Sequence, residues 1–367
     1  MAYVLNRGKM IKSLLFMIRG LIGTGLCFTF GLAPSAASAA LISGGNFGGA
    51  DLTPSDGDIL SGTFTNVGAF TLTPGTTVFI DQGTELSITA SQINIFGILD
   101  GTGAGFAGGP SVPNSPGGGT GDQGGINGLG PGGGTGGMGG LIGTFVHGTG
   151  GGGGGYGGAG GRSAPTFSSP PTAAGGLAYG DATSFNVSMG SGGGSGSKYT
   201  QPGLTGASGA GGAGGGAVSL FGTINLGGSI LVDGANGLLG ARINSASGGG
   251  GAGGGVLLSG TLLLDGLISA TGGNGGSGDN GGFPSAGGGG GGGRIKLFGS
   301  SLLGSNFAFD VSGGNGGPGH GGVSEPGANG TFFDNTVPVN VPEPTSTLGL
   351  LIFSAIGINS ALKNRRL

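Results

Sequence analysis

Asp100, Asp233 and Asp310 are the residues of this chain whose placement most invites a reaction. Each follows an aliphatic run, so in a stacked architecture they would line up along one edge, and clustered carboxylates are what polysaccharide hydrolysis needs. Each is also followed closely by glycine, which favours the plainer role of a turn residue satisfying backbone N–H groups. Aligned turn carboxylates could bind calcium. The glycine-aspartate nonapeptide of calcium-loaded β-rolls is absent, however, and no metal site or cofactor is expected.

The other candidates are weaker. Gly103-Ala104-Gly105-Phe106-Ala107-Gly108 fits the dinucleotide-binding pattern G-x-G-x-x-G, but Gly109 and Pro110 deny it the helix whose N-terminus would hold a pyrophosphate. His147 and His320 sit in glycine-rich stretches without neighbouring ligand-type residues and read as solvated loop histidines. Arg294 and Lys296 flank a strand and are expected on its solvent face. No nucleophile–base pair emerges, so the chain is not expected to be an enzyme.

The elements that position these residues must be built from an unusual composition. Of 367 residues 105 are glycine, which loses more conformational freedom on folding than any other residue. Such a chain needs either regular backbone pairing or no fixed structure. Its hydrophobic content, 35%, and several β-type runs favour an ordered scaffold over disorder. Segments such as Gly109-Pro110-Ser111-Val112 break any collagen register.

Short runs rich in β-branched and aromatic residues, Thr76–Ile80, Glu85–Thr89 and Gln92–Phe96, read as strands with one buried face. A motif of aliphatic, any, aliphatic, Phe or Ser, then Gly recurs as Ile93–Gly97, Val218–Gly222, Val256–Gly260 and Ile295–Gly299. The last three glycines are 38 and 39 residues apart, and Gly-x-Asn-Gly turns follow at Asn236, Asn274 and Asn315. Repeats of this length are stacked units, each too small to bury its own apolar face. The expected fold is all-β, a right-handed parallel β-helix whose Gly-Asn turns supply positive φ at the corners and whose polyglycine runs, Gly248–Gly255 and Gly287–Gly293, are long flexible loops. A glycine-rich β-sandwich is the competitor. Residues 106–216 admit extended polyglycine strands or disorder alike.

Both ends carry transport-type patterns. Four basic residues within Met1–Arg19, an apolar run Leu21–Leu32 and the small residues Pro34–Ala40 follow the order of a signal peptide. Ala37 and Ala39 meet the peptidase's demand for small side chains, placing cleavage between Ala39 and Ala40. The single cysteine, Cys27, leaves with that signal, so no disulfide or thiol chemistry is expected afterwards. At the other end Val341-Pro342-Glu343-Pro344 precedes the mostly apolar stretch Thr345–Leu362 and the basic stop of Lys363, Arg365 and Arg366. That stretch is long enough for a membrane helix with the basic cluster on the cytoplasmic side.

Residues 341–367, on this motif, span and basic end, resemble the PEP-CTERM sorting domain. The resemblance implies processing by an exosortase near Pro342-Glu343-Pro344 in a Gram-negative bacterium that makes exopolysaccharide. The body between the signals carries five basic residues against fifteen acidic ones, which argues against a nucleic-acid partner.

The expected organisation is therefore a signal peptide over 1–39, a β-rich segment over 40–105, a glycine-rich segment over 106–216, a repeat region over 217–335 with a period of about 38–41, a linker over 336–340 and the sorting signal over 341–367. The expected role is that of an exported surface or extracellular-matrix protein, structural or adhesive. It would be handled by signal peptidase and exosortase, be anchored transiently in the inner membrane, and contact exopolysaccharide. A carbohydrate-active β-helix enzyme and a disordered matrix filler are the alternatives.

Overall fold

The computed structural model describes residues 39–113, 121–142, 145–164, 172–200, 207–241, 245–278 and 285–338. None of these residues is helical, and the expected signal and membrane helices lie outside them. The fold is all-β. Its N-terminal part holds β1 (Leu41–Asn46), β2 (Ile59–Leu72), β3 (Thr77–Ile80), β4 (Glu85–Ile95) and β5 (Ile98–Asp100). An insertion follows with four short strands, β6 (Gly121–Gln123), β7 (Gly139–Ile142), β8 (Phe145–Gly148) and β9 (Lys198–Thr200). Next come β10 (Ala217–Leu226), β11 (Ser229–Leu231), β12 (Gly255–Leu264), β13 (Leu267–Ser269), β14 (Arg294–Leu303) and β15 (Ala308–Asp310). The hairpin β16 (Pro318–Gly319) and β17 (Gly322–Val323) precedes the last strand, β18 (Thr331–Pro338), which runs three residues past the expected repeat boundary at 335.

Twelve strands form one parallel sheet with two rows. The long row runs β2-β4-β10-β12-β14-β18 with β1 outside β2, and the short row runs β3-β5-β11-β13-β15. At its start β2 also pairs with β3, Ile59 opposite Phe79, which joins the rows. Each pass of the chain contributes one long and one short strand and returns one strand spacing further on. Period-two alternation then sets Ile88, Leu220, Leu258 and Leu297 opposite one another, all fully buried. Leu99, Ile230 and Ile268 form the matching column of the short row. Burying each such side chain contributes about 1.5–3 kcal/mol. No single pass could do this alone, because its inward side chains need the neighbouring pass above and below.

Register corrects two expectations about the repeat. The N-terminal counterpart of Val218–Phe221 is Leu86–Thr89, whereas Ile93–Ile95 matches Ile224–Leu226, so Gly97 is not equivalent to Gly222. The expected strands Glu85–Thr89 and Gln92–Phe96 are accordingly one strand, whose extra residue beside Gly222 forms a bulge. Positive φ also falls elsewhere than expected. Gly222, Gly260 and Gly299, one register column, have φ of 144°, 129° and 108°, while Asn236, Asn274 and Asn315 have none. The corner thus lies within the long strands. The asparagines instead act as a ladder: Asn274 N donates to Asn236 Oδ1 at 2.7 Å and Asn315 N to Asn274 Oδ1 at 2.8 Å.

The glycine runs expected as flexible loops are hydrogen-bonded in every described stretch. Along residues 246–254 successive N–H groups turn through three neighbours in strict rotation. Ala246, Gly249 and Ala252 donate to Ser197, Gly194 and Ser191, and Ser247, Gly250 and Gly253 donate to Ser285, Gly288 and Gly291. Gly248, Gly251 and Gly254 donate to Leu238, Ala235 and Val232. Three further segments donate back to the carbonyls, through Gly212 to Gly249, Gly154 to Gly250 and Gly273 to Gly251.

A repeat of three without internal hydrogen bonds is the habit of a polyproline II-type helix, and here its backbone groups are satisfied by six surrounding segments instead of water. Segments so close leave no space for a side chain. A Cβ on Gly193 would strike the carbonyl of Gly249, and one on Gly254 that of Gly216. Described parts of 106–216 belong to this same bundle, which decides for extended glycine segments there.

Candidate functional site

Arg294 and Lys296 stand two residues apart on the outer face of β14 and correct the expectation of a solvent face: both are buried, at 6% and 1% exposure. The cover is residues 179–188, a loop of the insertion. Lys296 Nζ donates to the carbonyl oxygens of Asp181 at 2.7 Å, Ser184 at 2.9 Å and Asn186 at 2.7 Å. Burial, then the neighbouring Arg294 charge, lowers the Lys296 pKa, and Asp181 opposes the shift. Arg294 donates through Nη2 to the carbonyls of Tyr179 and Gly180, at 2.9 and 3.1 Å, and through Nη1 to Thr331 Oγ1 at 2.9 Å. Its Nε is buried and has no hydrogen-bond partner.

Apolar contacts complete the attachment. Phe185 meets Phe298 edge-on at 4.9 Å and Phe221 at 5.9 Å between ring centroids. Tyr156 lies beneath the loop, with its ring 5.6 Å from the Arg294 guanidinium carbon and 5.0 Å from the Tyr179 ring. Ser188 N donates to Tyr156 Oη at 2.8 Å, and Tyr179 Oη donates to the Met189 carbonyl. Gly255 permits this approach, since a Cβ there would strike Val187 and the Tyr156 hydroxyl.

Between the loop and the outer sheet face lies a cleft of about 560 Å³, lined among others by Glu85, Pro131, Tyr179, Asp181, Ser184 and Asn186. Desolvation by burial raises both tyrosine pKa values to about 12, so the phenols stay neutral at physiological pH and serve as hydrogen-bonding groups, not bases. The Asp181 carboxyl is held below its usual range, chiefly by the Thr183 N–H. Lys296 is not a free nucleophile, because its ammonium is committed to the loop carbonyls. The lining offers carboxylates, an amide, a hydroxyl and an aromatic edge, a set suited to holding a hydroxylated ligand.

Asp100 and Asp310 do not converge. Asp100 and Asp310 fall in one register row, but Leu231 and Ser269 lie between them, a separation of about 14 Å at three strand spacings. That exceeds the reach of paired glycosidase carboxylates. Each binds the backbone two residues ahead, Thr102 N at 2.9 Å and Ser312 N at 2.8 Å. Asp233 Oδ1 takes Ser269 Oγ and Thr271 N of the next pass, each at 2.6 Å. The turn reading holds for the first two, and Asp233 ties one pass to the next.

Gly105 and Phe106 of the G-x-G-x-x-G stretch donate to Gly214 and Gly190 and lead into the glycine bundle, with no helix following. His320 is exposed beside the β16–β17 turn, and His147 lies on β8. Among the described residues no three His, Cys, Asp or Glu side chains gather as a metal site would require. Ala37, Val341, Pro342, Glu343, Pro344, Lys363, Arg365 and Arg366 lie outside the described residues, whereas Ala39 and Ala40 are described and exposed. Sequence reasoning missed the cleft entirely. The one available signal was Tyr156, a lone aromatic inside a polyglycine run.

Compared with known proteins, the chain matches no family model, no curated protein and no solved structure.

Proposed function

We propose that this chain is an exported scaffold of the cell surface or extracellular matrix, delivered by its signal peptide and processed by an exosortase at Pro342-Glu343-Pro344. Its body is a parallel β-helix carrying a glycine bundle, right-handed as parallel crossovers are. The observation that carries this reading is the continuity of backbone hydrogen bonding across the passes, from β1 to β18 and through the threefold glycine segments. A body of that kind resists local opening without disulfides, which suits a cysteine-free protein working outside the cell. The cleft under residues 179–188 would supply the adhesive contact with exopolysaccharide.

The test is fractionation of the producing bacterium with and without its exosortase, following the mass of the C-terminal fragment. Loss of the tail and release of the body only in the exosortase-positive strain is expected. An intact tail in both strains overturns the sorting assignment. Separately, retention of the purified body on immobilised exopolysaccharide, weakened in Asp181→Ala, is expected of the adhesive role. Release of shortened polysaccharide chains would instead favour a carbohydrate-active enzyme.

A further inference from the structure

The clearest unexplained charge in the body is Asp58. Its side chain is buried at 6% exposure, at the start of the second pass. One carboxylate oxygen, Oδ1, accepts the Ala40 N–H at 2.9 Å, and the other, Oδ2, accepts the Ser55 N–H at 2.8 Å. Ala40 is held from its other side too, since Ile59 N donates to the Ala40 carbonyl at 2.8 Å. A buried carboxylate that takes two neutral amides is incompletely compensated, because a buried charge is best met by an opposite one. The body's five basic residues all lie at position 162 or beyond, and Arg294 and Lys296 are committed to the loop of residues 179–188.

We infer that Asp58 is the receptor for the α-ammonium group of the mature N-terminus. The inference rests on cleavage between Ala39 and Ala40. Hydrolysis there adds one water across the peptide bond: its oxygen goes to the Ala39 carbonyl carbon, which becomes a carboxylate, and both its protons end on the Ala40 nitrogen, which becomes an ammonium. That nitrogen is the atom already 2.9 Å from Asp58 Oδ1. Processing thus turns an amide hydrogen bond into a charge-assisted one at the same place, without moving the chain. Its structural effect is to fasten β1, the edge strand of the long row, at Ala40, the residue just before its first, Leu41. An uncleaved precursor has only the amide contact, so the edge tightens after removal of the signal.

The body makes the test clean, because Lys198 and Lys296, the lysines between the two terminal segments, are both buried at 1% exposure. The exported protein is isolated, its first residue is identified by mass, and the rate of α-amine acylation is followed against pH. A chain beginning at Ala40 is expected, with its α-amine titrating roughly one unit above the ordinary value near 8 and reacting roughly ten-fold more slowly at neutral pH than in Asp58→Asn. Since that variant also disturbs the Ser55 turn, a second one adds a single alanine ahead of Ala40 and leaves Asp58 in place. It too should return the amine to its ordinary value.

A folded pKa raised in this way adds stability that is complete below the unfolded value and lost as pH rises through the folded one. The difference in thermal midpoint between wild type and the alanine-extended variant should therefore vanish in alkaline buffer, whereas Asp58→Asn keeps the part owed to the Ser55 turn. A first residue other than Ala40 overturns the cleavage assignment and the receptor with it. A chain that begins at Ala40 but whose amine titrates alike in all three proteins overturns the receptor alone.

Discussion

Lys296 Nζ lies 2.7 Å from the main-chain oxygen of Asn186, although 110 residues separate the two in sequence. With Asp181 and Ser184 supplying further carbonyls, the ammonium does for this loop what a bound cation does elsewhere: it gathers backbone oxygens that would otherwise repel one another. The loop's conformation thus depends on a side chain of the repeat, and the cleft depends on the loop.

Replacing Lys296 with Met should remove that centre while keeping the stem's bulk. The expected cost is about 2 kcal/mol in denaturant titration, since three carbonyls lose a charged donor but can turn toward water. Hydrogen exchange should rise over residues 181–186 and stay low in β10 and β12. Uniformly faster exchange would show that the lysine supports the whole stack.

The glycine bundle makes a sharper contrast. Gly193→Ala places a methyl group against the Gly249 carbonyl and should lower stability by about 3 kcal/mol. At Gly45 a Cβ meets nothing within 4 Å, so Gly45→Ala should stay within about 0.5 kcal/mol of wild type. Thermal unfolding of the two variants side by side decides whether close approach is what requires glycine there.

For the asparagine ladder, Asn274→Ala should cost about 1 kcal/mol, because Asn315 N loses its acceptor. Asn274→Asp keeps an acceptor oxygen and should recover most of it. Chemical denaturation of both variants, with exchange read at Asn315, is the check.

Alkaline pH should unfold the region around the cleft. Tyr156 and Tyr179 have folded pKa values near 12 against an ordinary 10.0, so the native state holds their protons more tightly than the unfolded chain does. Stability from this source is complete below pH 10.0 and is lost as pH rises toward about 12. Ultraviolet titration of tyrosinate should show two late-ionising groups, with the late step halved in Tyr156→Phe.

Local pattern carried much of the repeat region. Val218, Leu220, Val256 and Leu258 alternate with less apolar neighbours or recur at fixed distances, and those inward positions follow from the two-residue period of a strand. The equivalence of Ile93–Gly97 with Val218–Gly222 failed because two aliphatic pairs of the same length occur in one strand, and only pairing with β10 tells them apart. The glycine segments were illegible for a different reason. Without side chains, Gly248–Gly251 and Gly287–Gly291 present the same surface to any partner, so no residue pattern names the neighbour. The cleft was hidden likewise, since Tyr156, Asp181 and Lys296 belong to three separate stretches, none of which resembles a site alone.

By itself the sequence determined the all-β class, the buried face of β4 and the spacing of about 38 residues among the last three motif copies, because these follow from side-chain alternation and repetition over short stretches. Tertiary structure alone decided which glycine segments bind one another, where positive φ falls, and that Arg294 and Lys296 are covered. Those outcomes depend on groups finding partners far away in sequence, as Ala328 N does with the Ala159 carbonyl and Arg294 with that of Tyr179, a choice made by close packing and not by local preference.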